Sequence, residues 1–405
     1  MTDSEPAPEF RRLGPDHLDE YRRVVEYAFE PEAGPATEDS SEDLAEKLGE
    51  RFGVFVDETL CSVCKHYDFE TRLRGAWVPL AGLAAVATPP EHRRQGYVGH
   101  LVAASLDRWR GTYPLSALWP FDRSFYRQFG WATANTGVEY TWPPASLVGD
   151  RTDVGGRFRR VTPDDWGPLQ SVHEAHAEDR TLALRRDEAW WREKVLPDDD
   201  RPHAAVWERD GKARAYVVYE FEPVDDGMRD RRIDVRDMAF ADHEARLAVL
   251  GYLADHDSQA TEVVHSGEDE TLLDIVPDPV EVEASVAAGP MVRIVDVADA
   301  LSTTPYPEGV SVDLTVAVAD RTADWNDDVF RLRVADGDGD CARVDAPRAA
   351  ADVRVDIGTL SQLVVGYRDV RTLRRLGELD VEDETVVGTL EAVFPEETVY
   401  LRQFF

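Results

Sequence analysis

The 405-residue sequence has few cysteines and no long apolar run. Three cysteines are an odd, low number that argues against a disulfide framework and fits a reducing compartment. No apolar stretch approaches the ~20 residues that a membrane-spanning helix requires. The N-terminus is polar and acidic, unlike a signal peptide. We therefore expect a cytoplasmic protein with no membrane partner.

Basic residues are also scarce. The chain has 45 Lys and Arg against 80 Asp and Glu, which gives a formal net charge of −35. Such a surface repels nucleic acid, so we expect no nucleic-acid partner. Nearly all of the basic residues are arginines, because lysine occurs only at positions 47, 65, 194 and 212. Many carboxylates with few lysines favour a halophilic protein, built for salt that shortens the Debye length to about 3 Å at 1 M. A GC-rich genome would produce a similar bias and is the alternative.

A metal site receives little support. Cys61 and Cys64 have metal-ligand spacing and His66 is close, but the sequence has no second pair of this kind. The same segment alternates between apolar and polar residues as a strand does. We predict that the protein holds no metal.

The chain contains an internal duplication. Residues 10–28 and 158–176 both begin with Phe-Arg-Arg, continue through a Pro-Asp step and end in an amphipathic helix. The elements that follow have the same predicted order, which is β-α-β-β-β-α in each half. A repeat of this length indicates two related domains rather than a solenoid.

The sequence pattern changes near residue 288, where several predicted strands are separated by Asp-Gly turns and followed by predicted helices. We predict three domains, at residues 1–146, 147–287 and 288–405, with an α+β fold. Segments 143–156 and 274–290 are the predicted linkers, and residues 291–303 are predicted to be helical.

A small cationic turn stands out in this acidic chain. Residues 89–96, "PPEHRRQG", lie between a predicted strand (77–88) and a predicted amphipathic helix (96–109). A strand, a glycine-bearing turn and a helix N-terminus direct several backbone N–H groups at one point. Gly96 lets a ligand approach the backbone, and Arg93 and Arg94 add positive charge. The turn predicts a site for one polyphosphate; the alternative is an ordinary turn with solvated arginines.

The motif in this turn resembles the pyrophosphate loop of the GCN5-related N-acetyltransferases (GNATs). The matching residues are Arg94, Gln95, Gly96, Tyr97, Val98 and Gly99. Val98 stands where that family usually has a small residue. With "LWPFDRSFYRQFGW" (118–131) and the terminal "YLRQFF" (400–405), the whole chain resembles the Eis (enhanced intracellular survival) family. That resemblance implies tandem GNAT domains, the second degenerate, and a C-terminal sterol-carrier-like domain.

The resemblance also implies an activity. It predicts an acetyl-CoA-dependent N-acetyltransferase that acts on a small-molecule amine and assembles as a homohexamer. Tyr126 matches the family's general acid, and the α-carboxylate of Phe405 matches its general base. Further cofactor contacts are implied at the strand edge formed by Val86, Ala87 and Thr88, and at Phe121 and Asp122. The last two stand where the family usually has Ser-Glu.

These roles make chemical sense. An aliphatic amine is mostly protonated near neutral pH, so a base must take its proton and an acid should protonate the leaving thiolate. No cysteine is placed for a covalent relay, so we expect direct transfer. From the residues alone, a packing role is the preferred interpretation of Tyr126, and a hydrophobic tail that completes a core is the preferred interpretation of the aromatic terminus; the resemblance reverses both. The rival function is a lipid or small-molecule carrier that uses the C-terminal domain, with the GNAT domains as scaffold.

Overall fold

The computed structural model describes residues 7–33, 48–147, 155–197, 202–224, 231–268 and 271–405. The chain divides into two compact units. The first unit is Met1–Ala134, Arg180–Leu184 and Pro290–Phe405, and the second is Asn135–Asp179 and Arg185–Gly289. No helix in the described ranges is both long and apolar enough to cross a membrane.

The strands, in chain order, are β1 (Glu9–Arg12), β2 (Glu50–Val56), β3 (Thr59–Leu73), β4 (Ala76–Ala87), β5 (Leu115–Leu118), β6 (Ala132–Thr133), β7 (Thr136–Trp142), β8 (Arg157–Arg160), β9 (His203–Arg209), β10 (Lys212–Pro223), β11 (Arg231–Phe240), β12 (Glu262–Gly267), β13 (Glu283–Ala288), β14 (Met291–Ile294), β15 (Val312–Ala319), β16 (Val329–Ala335), β17 (Asp338–Arg343), β18 (Val353–Asp356) and β19 (Leu379–Asp380).

The helices are α1 (Leu18–Phe29), α2 (Tyr97–Trp109), α3 (Arg123–Arg127), α4 (Trp166–His176), α5 (Glu188–Trp190), α6 (His243–Ala254), α7 (Leu272–Ile275), α8 (Val297–Thr303), α9 (Ile357–Val364), α10 (Val370–Leu376) and α11 (Glu384–Val393).

The first sheet has the strand order β1-β2-β3-β4-β5-β14-β6. Its order along the chain from β1 to α2 is the predicted β-α-β-β-β-α. Strand β14 comes from far along the chain and lies antiparallel between β5 and β6. The prediction of helix over 291–303 was therefore wrong in its first part. Residues 291–294 are all buried between two strands, and the helix begins only at Val297.

Helices cover both faces of this sheet. Because side chains alternate along a strand, neighbouring residues of β4 point to opposite faces. Helix α1 packs on one face with Val63 and Ala87. Helix α2 packs on the other face with Ala81 and Leu83. The two faces are therefore distinct environments on either side of the same strand.

The second unit repeats this plan with the strand order β13-β7-β12-β11-β10-β9-β8. Strand β13 pairs antiparallel with β7 from Glu283 to Ala288, so much of the predicted linker 274–290 is a sheet edge. The exposed side chains of β13 gave the sequence its linker-like appearance. In the other predicted linker, residues 148–154 lie outside the described residues. Strand β7 belongs to this sheet although it precedes residue 146, and the predicted domain boundaries stay predictions.

The C-terminal region has a sheet of order β17-β16-β15-β18-β19 with helices α8 to α11, which agrees with the α+β prediction. It belongs to the same compact unit as the first sheet. Arg74 donates to the carbonyls of Leu363, Val364 and Pro395 at 3.0–3.1 Å and pairs with Glu397 at 3.0 Å. These contacts fix the C-terminal helices to the β3–β4 turn.

A buried ion pair makes a second connection. Arg293 on β14 pairs with Asp320 at 2.5 Å, with side chains 0% and 1% exposed, and also donates to the carbonyl of Phe129. Burial lowers the pKa of Arg293, and the charge of Asp320 opposes that shift. Gly130 leaves room for the guanidinium, because a Cβ there would collide with Arg293 Nη1. Removing one partner would leave a charge buried without compensation.

We therefore expect Asp320→Asn to lower the free energy of unfolding by about 3–5 kcal/mol. The measurement is urea unfolding followed by tryptophan fluorescence. The control is Asp313→Asn, whose ion pair with Arg331 is exposed to solvent and should cost about 1 kcal/mol or less. Equal transition midpoints for the two variants would contradict this prediction.

Candidate active site

The candidate site lies where β4 and β5 separate. The two strands pair in parallel from Leu80 opposite Leu115 to Leu83 opposite Leu118. Strand β5 then ends, while β4 continues to Ala87. The edge of β4 beyond Leu83 consequently has no pairing with β5. Backbone groups on such an edge are available to a ligand that adds itself as a strand.

A bulge interrupts β4 in this stretch. The register with β3 shifts between Val63 opposite Ala87 and Lys65 opposite Ala84, so two residues of β4 face one of β3. Ala85 has a φ of 49°, a left-handed conformation that is rare for alanine. Bulges of this kind redirect backbone groups and often lie beside active sites. The sequence carries no signal for this bulge, which was not predicted.

The turn after β4 has the predicted strand–turn–helix form. Residues Pro90–His92 form a short 3-10 turn, and Arg93 Nε donates to the carbonyl of Thr88 at 2.9 Å. Arg94 is left-handed at a φ of 63°. Arg93 therefore holds the loop in shape. Arg94 is exposed and has no hydrogen-bond or ion-pair partner among the residues that the structure describes.

The N-terminus of α2 is open to a ligand. Gly96 precedes the helix at a φ of 85°, no side chain caps the helix end, and a Cβ at Gly96 would meet nothing within 4 Å. The first N–H groups of a helix have no intrahelical partner, so this end attracts an anion. The site thus combines open space, backbone donors and the cation of Arg94.

The remaining loop residues stabilise the turn. Gln95 Nε2 donates to the carbonyl of Glu91 at 3.0 Å, and the hydroxyl of Tyr97 donates to Gln95 Oε1 at 3.1 Å. Val98 is half-buried against the core beneath α2, and a Cβ at Gly99 would lie 3.7 Å from the Phe129 ring. The side chains of Gln95 and Tyr97 are thus engaged within the loop.

Tyr126 lies on α3 and is buried in the core on the α2 face of the sheet, in one cluster with Cys64, Ala81 and Leu83. Its ring makes edge contacts with Phe121, Phe125 and Trp131 at 5.3–6.3 Å. Burial raises the pKa of Tyr126, and the nearby thiol of Cys64 adds to the shift. The phenol therefore stays protonated at ordinary pH.

Phe121 and Asp122 precede this helix. Phe121 is 67% exposed and packs against Tyr126 at 5.5 Å. Asp122 is the N-cap of α3, and its carboxylate accepts from the backbone N–H of Ser124 and Phe125. The hydrogen bond from the Ser124 hydroxyl is the main reason that the pKa of Asp122 is lowered. The Asp122 carboxylate is thus engaged within the protein.

Phe405 is held at the separation point of the strands, on the opposite face from Tyr126. Its ring packs against Tyr67 at 5.6 Å and Phe69 at 4.9 Å, and the residue is 7% exposed. Gly82 makes the space for it, since a Cβ there would lie 3.0 Å from the Phe405 ring and 2.7 Å from that of Phe69. The preceding residue, Phe404, is 74% exposed and contacts Trp119 at 5.7 Å.

Two positioning residues for this tail were missed in the sequence analysis. Trp119 Nε1 donates to the carbonyl of Gln403 at 2.7 Å, which fixes the tail to the end of β5. Gly82 provides the recess for the Phe405 ring. Trp119 lies in the "LWPF" segment and could have been proposed. Gly82 could not, because its role depends on a residue more than 300 positions away.

The cysteines and His66 form part of the core. Cys61, Cys64 and Cys341 are free and buried. His66 Nε2 lies 2.9 Å from Ser105 Oγ and 3.5 Å from Cys64 Sγ, and burial lowers the pKa of His66 to about 3. Across the described ranges there is no cluster of three or more His, Cys, Asp or Glu arranged to hold a metal.

Comparison with known families identifies each part of the chain. Residues 9–134 match an acetyltransferase (GNAT) domain family, residues 182–294 match a second GNAT domain family, and residues 297–402 match a sterol carrier protein domain family. The match of both halves to GNAT families agrees with the internal duplication.

Curated relatives match this chain over most of its length. N-acetyltransferase Eis of Mycobacterium tuberculosis is 26% identical over 336 residues, which are 78% of each chain. An uncharacterized N-acetyltransferase of Streptomyces griseus is 27% identical over 350 residues, or 80% of this chain and 81% of that protein.

Solved structures share the fold. A GCN5-related N-acetyltransferase from Anabaena variabilis has a TM-score of 0.85 at 21% identity, with 98% of this chain and 100% of that chain covered. Eis1 from Mycobacterium abscessus has a TM-score of 0.78 at 22% identity, with the same coverage.

The chain is therefore an N-acetyltransferase with two GNAT domains and a C-terminal sterol carrier protein domain, and its co-substrate is acetyl-CoA. It is similar to the Eis N-acetyltransferases over most of its length, as its motifs predicted. The acetyltransferase relatives favour the enzyme over the rival lipid carrier.

The loop geometry leads to a first test of cofactor binding. We expect Gly96→Glu to abolish acetyl-CoA binding, because it places a carboxylate where a diphosphate would approach the open helix end. Isothermal titration calorimetry measures the affinity.

The matched control is Gly111→Glu. Gly111 also has a positive φ, of 74°, and open space around it, but it lies beyond the opposite end of α2. This variant carries the same charge and similar backbone strain. Unchanged acetyl-CoA affinity in folded Gly96→Glu, or equal losses in both variants, would count against the loop as the phosphate site.

Proposed function

We propose that the protein transfers the acetyl group of acetyl-CoA directly to the primary amine of a small molecule. Tyr126 acts as the general acid, and the α-carboxylate that Phe405 carries as the last residue of this sequence acts as the general base. The observation that carries the proposal is the position of these residues. They lie on opposite faces of the sheet. Tyr126 belongs to the core cluster that contains Ala81 and Leu83. Phe405 packs against Gly82, the strand residue between those two, whose side-chain direction is the opposite one.

The α2 face suits the cofactor. Its pyrophosphate is assigned to the backbone N–H groups at Arg94, Gln95, Gly96, Tyr97, Val98 and Gly99. The unpaired edge of β4, at Val86, Ala87 and Thr88, is assigned to the pantetheine arm. We assign the stabilisation of the oxyanion to backbone N–H groups near the Ala85 bulge. We assign a smaller share of the cofactor contacts to Phe121 and Asp122. The ring of Phe121 is exposed beside Tyr126, and Asp122 is the N-cap of the helix that carries Tyr126.

A general acid must stay protonated until it donates its proton to the leaving thiolate. Because burial raises its pKa, Tyr126 keeps its phenolic proton at working pH. The leaving group is a thiolate, whose conjugate acid has a reference pKa of about 8.5. A raised pKa makes Tyr126 a weaker acid, so the proton transfer depends on charge that develops on the sulfur during the reaction.

The general base must be a carboxylate that is more basic than a free α-carboxylate. A free α-carboxylate has a reference pKa of about 3.5, and burial raises such a value because it disfavours the charged form. The ring of Phe405 is buried against Tyr67 and Phe69, which holds the end of the chain beside an apolar wall.

We also propose that the enzyme is a cytoplasmic, salt-adapted homo-oligomer, with a hexamer as the expected assembly. The charge of −35 and the preference for arginine over lysine support the adaptation to salt. Analytical ultracentrifugation at low and high salt tests the assembly, and turnover over the same salt range tests the adaptation.

Replacement of the acid should separate binding from chemistry. We expect Tyr126→Phe to leave acetyl-CoA affinity nearly unchanged and to lower kcat by roughly 100-fold or more, the range expected for loss of a general acid. Steady-state kinetics with a panel of amines measures this. Tyr113→Phe is the control, because Tyr113 packs against the same core cluster. Equal turnover in both variants would mean that Tyr126 only packs.

The end of the chain provides the test of the base. A short C-terminal extension would convert the Phe405 carboxylate into an amide, which cannot accept the proton. Deletion of Phe405 would leave a carboxylate about 3.5 Å back along the chain. Both changes should remove most turnover while acetyl-CoA still binds. Equal turnover of N-terminally tagged and C-terminally extended protein, in the same salt, would remove Phe405 from the mechanism.

A third variant keeps the terminus chemically intact. Gly82→Ala places a methyl group 2.7 Å from the Phe69 ring and 3.0 Å from the Phe405 ring, so the recess that holds Phe405 is disturbed and the position of the carboxylate changes with it. We expect lower kcat with an acetyl-CoA affinity close to that of the unchanged protein. Gly14→Ala is the control, because a Cβ at Gly14 meets nothing within 4 Å. Full turnover in Gly82→Ala would show that the position of the terminus does not matter.

A further inference from the structure

A five-residue segment between α4 and α5 belongs to the first compact unit, although both of these helices belong to the second. The chain leaves the second unit after Asp179 and returns to it at Arg185, and Arg180–Leu184 lie in the first unit. We name this segment the strap. Its residues 181 to 184 are only 0–2% exposed. The strap is therefore packed into the first unit and is not a surface loop.

One side of the strap pairs with the end of β3. Leu182 N donates to the carbonyl of Arg72 at 2.7 Å, and Arg72 N donates to the carbonyl of Ala183 at 3.0 Å. Strand β3 also carries the two aromatic rings against which Phe405 packs. The strap is thus fixed to the strand that forms one wall of the recess for the chain end.

The other side of the strap pairs with the C-terminal tail. Thr181 N donates to the carbonyl of Thr398 at 2.9 Å. Tyr400 N donates to the carbonyl of Thr181 at 2.8 Å. The hydroxyl oxygen of Thr181 accepts from Arg74 N at 3.3 Å. All three polar groups of Thr181 therefore bond to the tail or to the turn between β3 and β4.

The backbone is strained between these two pairings. Leu182 has a φ of 66°, a left-handed conformation that is uncommon for a residue with a side chain, and it is fully buried. Such a conformation is unfavourable and persists only where the surrounding contacts hold it. It lets the chain turn from the tail, which pairs at Thr181, to β3, which pairs at Leu182. The shape of the strap is thus fixed from both sides.

A pairing of this kind sets the register of the tail. Tyr400 lies five residues before the last residue, Phe405. A slip of one residue in the pairing would move the chain after it by about 3.4 Å and would turn each side chain to the other side. A general base must lie within about 3 Å of the proton that it accepts. A one-residue slip at Thr181 would therefore take the terminal carboxylate out of reach.

We propose that the strap positions the general base, and that Thr181 is the positioning residue that keeps the tail in register with β3. The inference rests on the proposed function of the Phe405 carboxylate. It assigns a role in the reaction of the first GNAT domain to residues that lie, in the sequence, between two helices of the second unit.

Thr181→Pro tests the pairing, because proline has no N–H to donate to the carbonyl of Thr398. We expect the Tyr400 amide to exchange hydrogen for deuterium at least about tenfold faster than in the unchanged protein. Mass spectrometry of the C-terminal peptides measures this exchange. With the best acceptor of the amine panel, kcat should fall by about tenfold or more, while calorimetry gives an unchanged acetyl-CoA affinity.

Two milder variants keep the backbone bonds and isolate the hydroxyl. Thr181→Val removes the acceptor for Arg74 N and should lower kcat by about threefold, as for loss of one ordinary hydrogen bond. Thr181→Ser keeps the hydroxyl and should retain full turnover. The control is Thr304→Val. Thr304 is equally buried, at 2% exposed, and its hydroxyl donates to the carbonyl of Ala300 after α8. This control should keep both the turnover and the slow exchange of the tail.

Unchanged exchange of the tail in folded Thr181→Pro would overturn the proposal, whatever the turnover. Equal kcat in the Thr181→Val, Thr181→Ser and Thr304→Val variants would overturn it too, and this set decides if Thr181→Pro is unfolded by circular dichroism. If the C-terminal extension removes turnover and the Thr181 variants do not, this proposal fails alone. If neither change lowers turnover, the proposed base has failed.

Discussion

The separation of β4 from β5 is the constraint on which the rest of the site depends. Once β5 ends at Leu118, β4 continues with an unpaired edge and a bulge at Ala85. A continuous sheet would bury these backbone groups and would isolate its two faces from each other. The gap leaves the edge of β4 open. In the proposed mechanism, an acyl group bound along this edge would be reachable from both faces of the sheet, which is what a direct transfer between two substrates requires.

A base at the end of a chain raises a problem of positioning, because a terminus is normally the part of a protein that is least ordered. Here several contacts oppose that tendency. Trp119 holds the carbonyl of Gln403, and Gly82 accepts the ring of Phe405. Further back, Arg74 and the buried pair of Arg293 with Asp320 fix the C-terminal domain to the first sheet. In the proposed mechanism, the sterol carrier protein domain thus serves to position one carboxylate.

The sequence predicted the features that depend on local pattern and not those that depend on distant partners. The order of elements, the loop at Gly96 and helix α2 follow from periodicity and turn chemistry within a few residues. Strand β14 was predicted as helix because a stretch of four residues, three of them apolar, fits a helix or a strand equally well. Its state is decided by pairing with β5, which lies far away in the sequence. The recess at Gly82 and the bulge at Ala85 likewise depend on tertiary contacts, whereas Tyr126 and Phe405 were proposed from a family resemblance.

The electrostatics of an anion site in such an acidic chain also follow from local geometry. Most described arginines pair with carboxylates, and Arg331 makes two parallel hydrogen bonds to Asp313. In strong salt, attraction beyond about 3 Å is screened, so net charge contributes little to recognition. In the proposed cofactor site, backbone N–H groups at the start of α2 and the guanidinium of Arg94 would contact a diphosphate at hydrogen-bond distance, which is about the same as that screening length. A loop built on backbone donors and one arginine can therefore hold a diphosphate in conditions where a broad patch of lysines would lose most of its attraction.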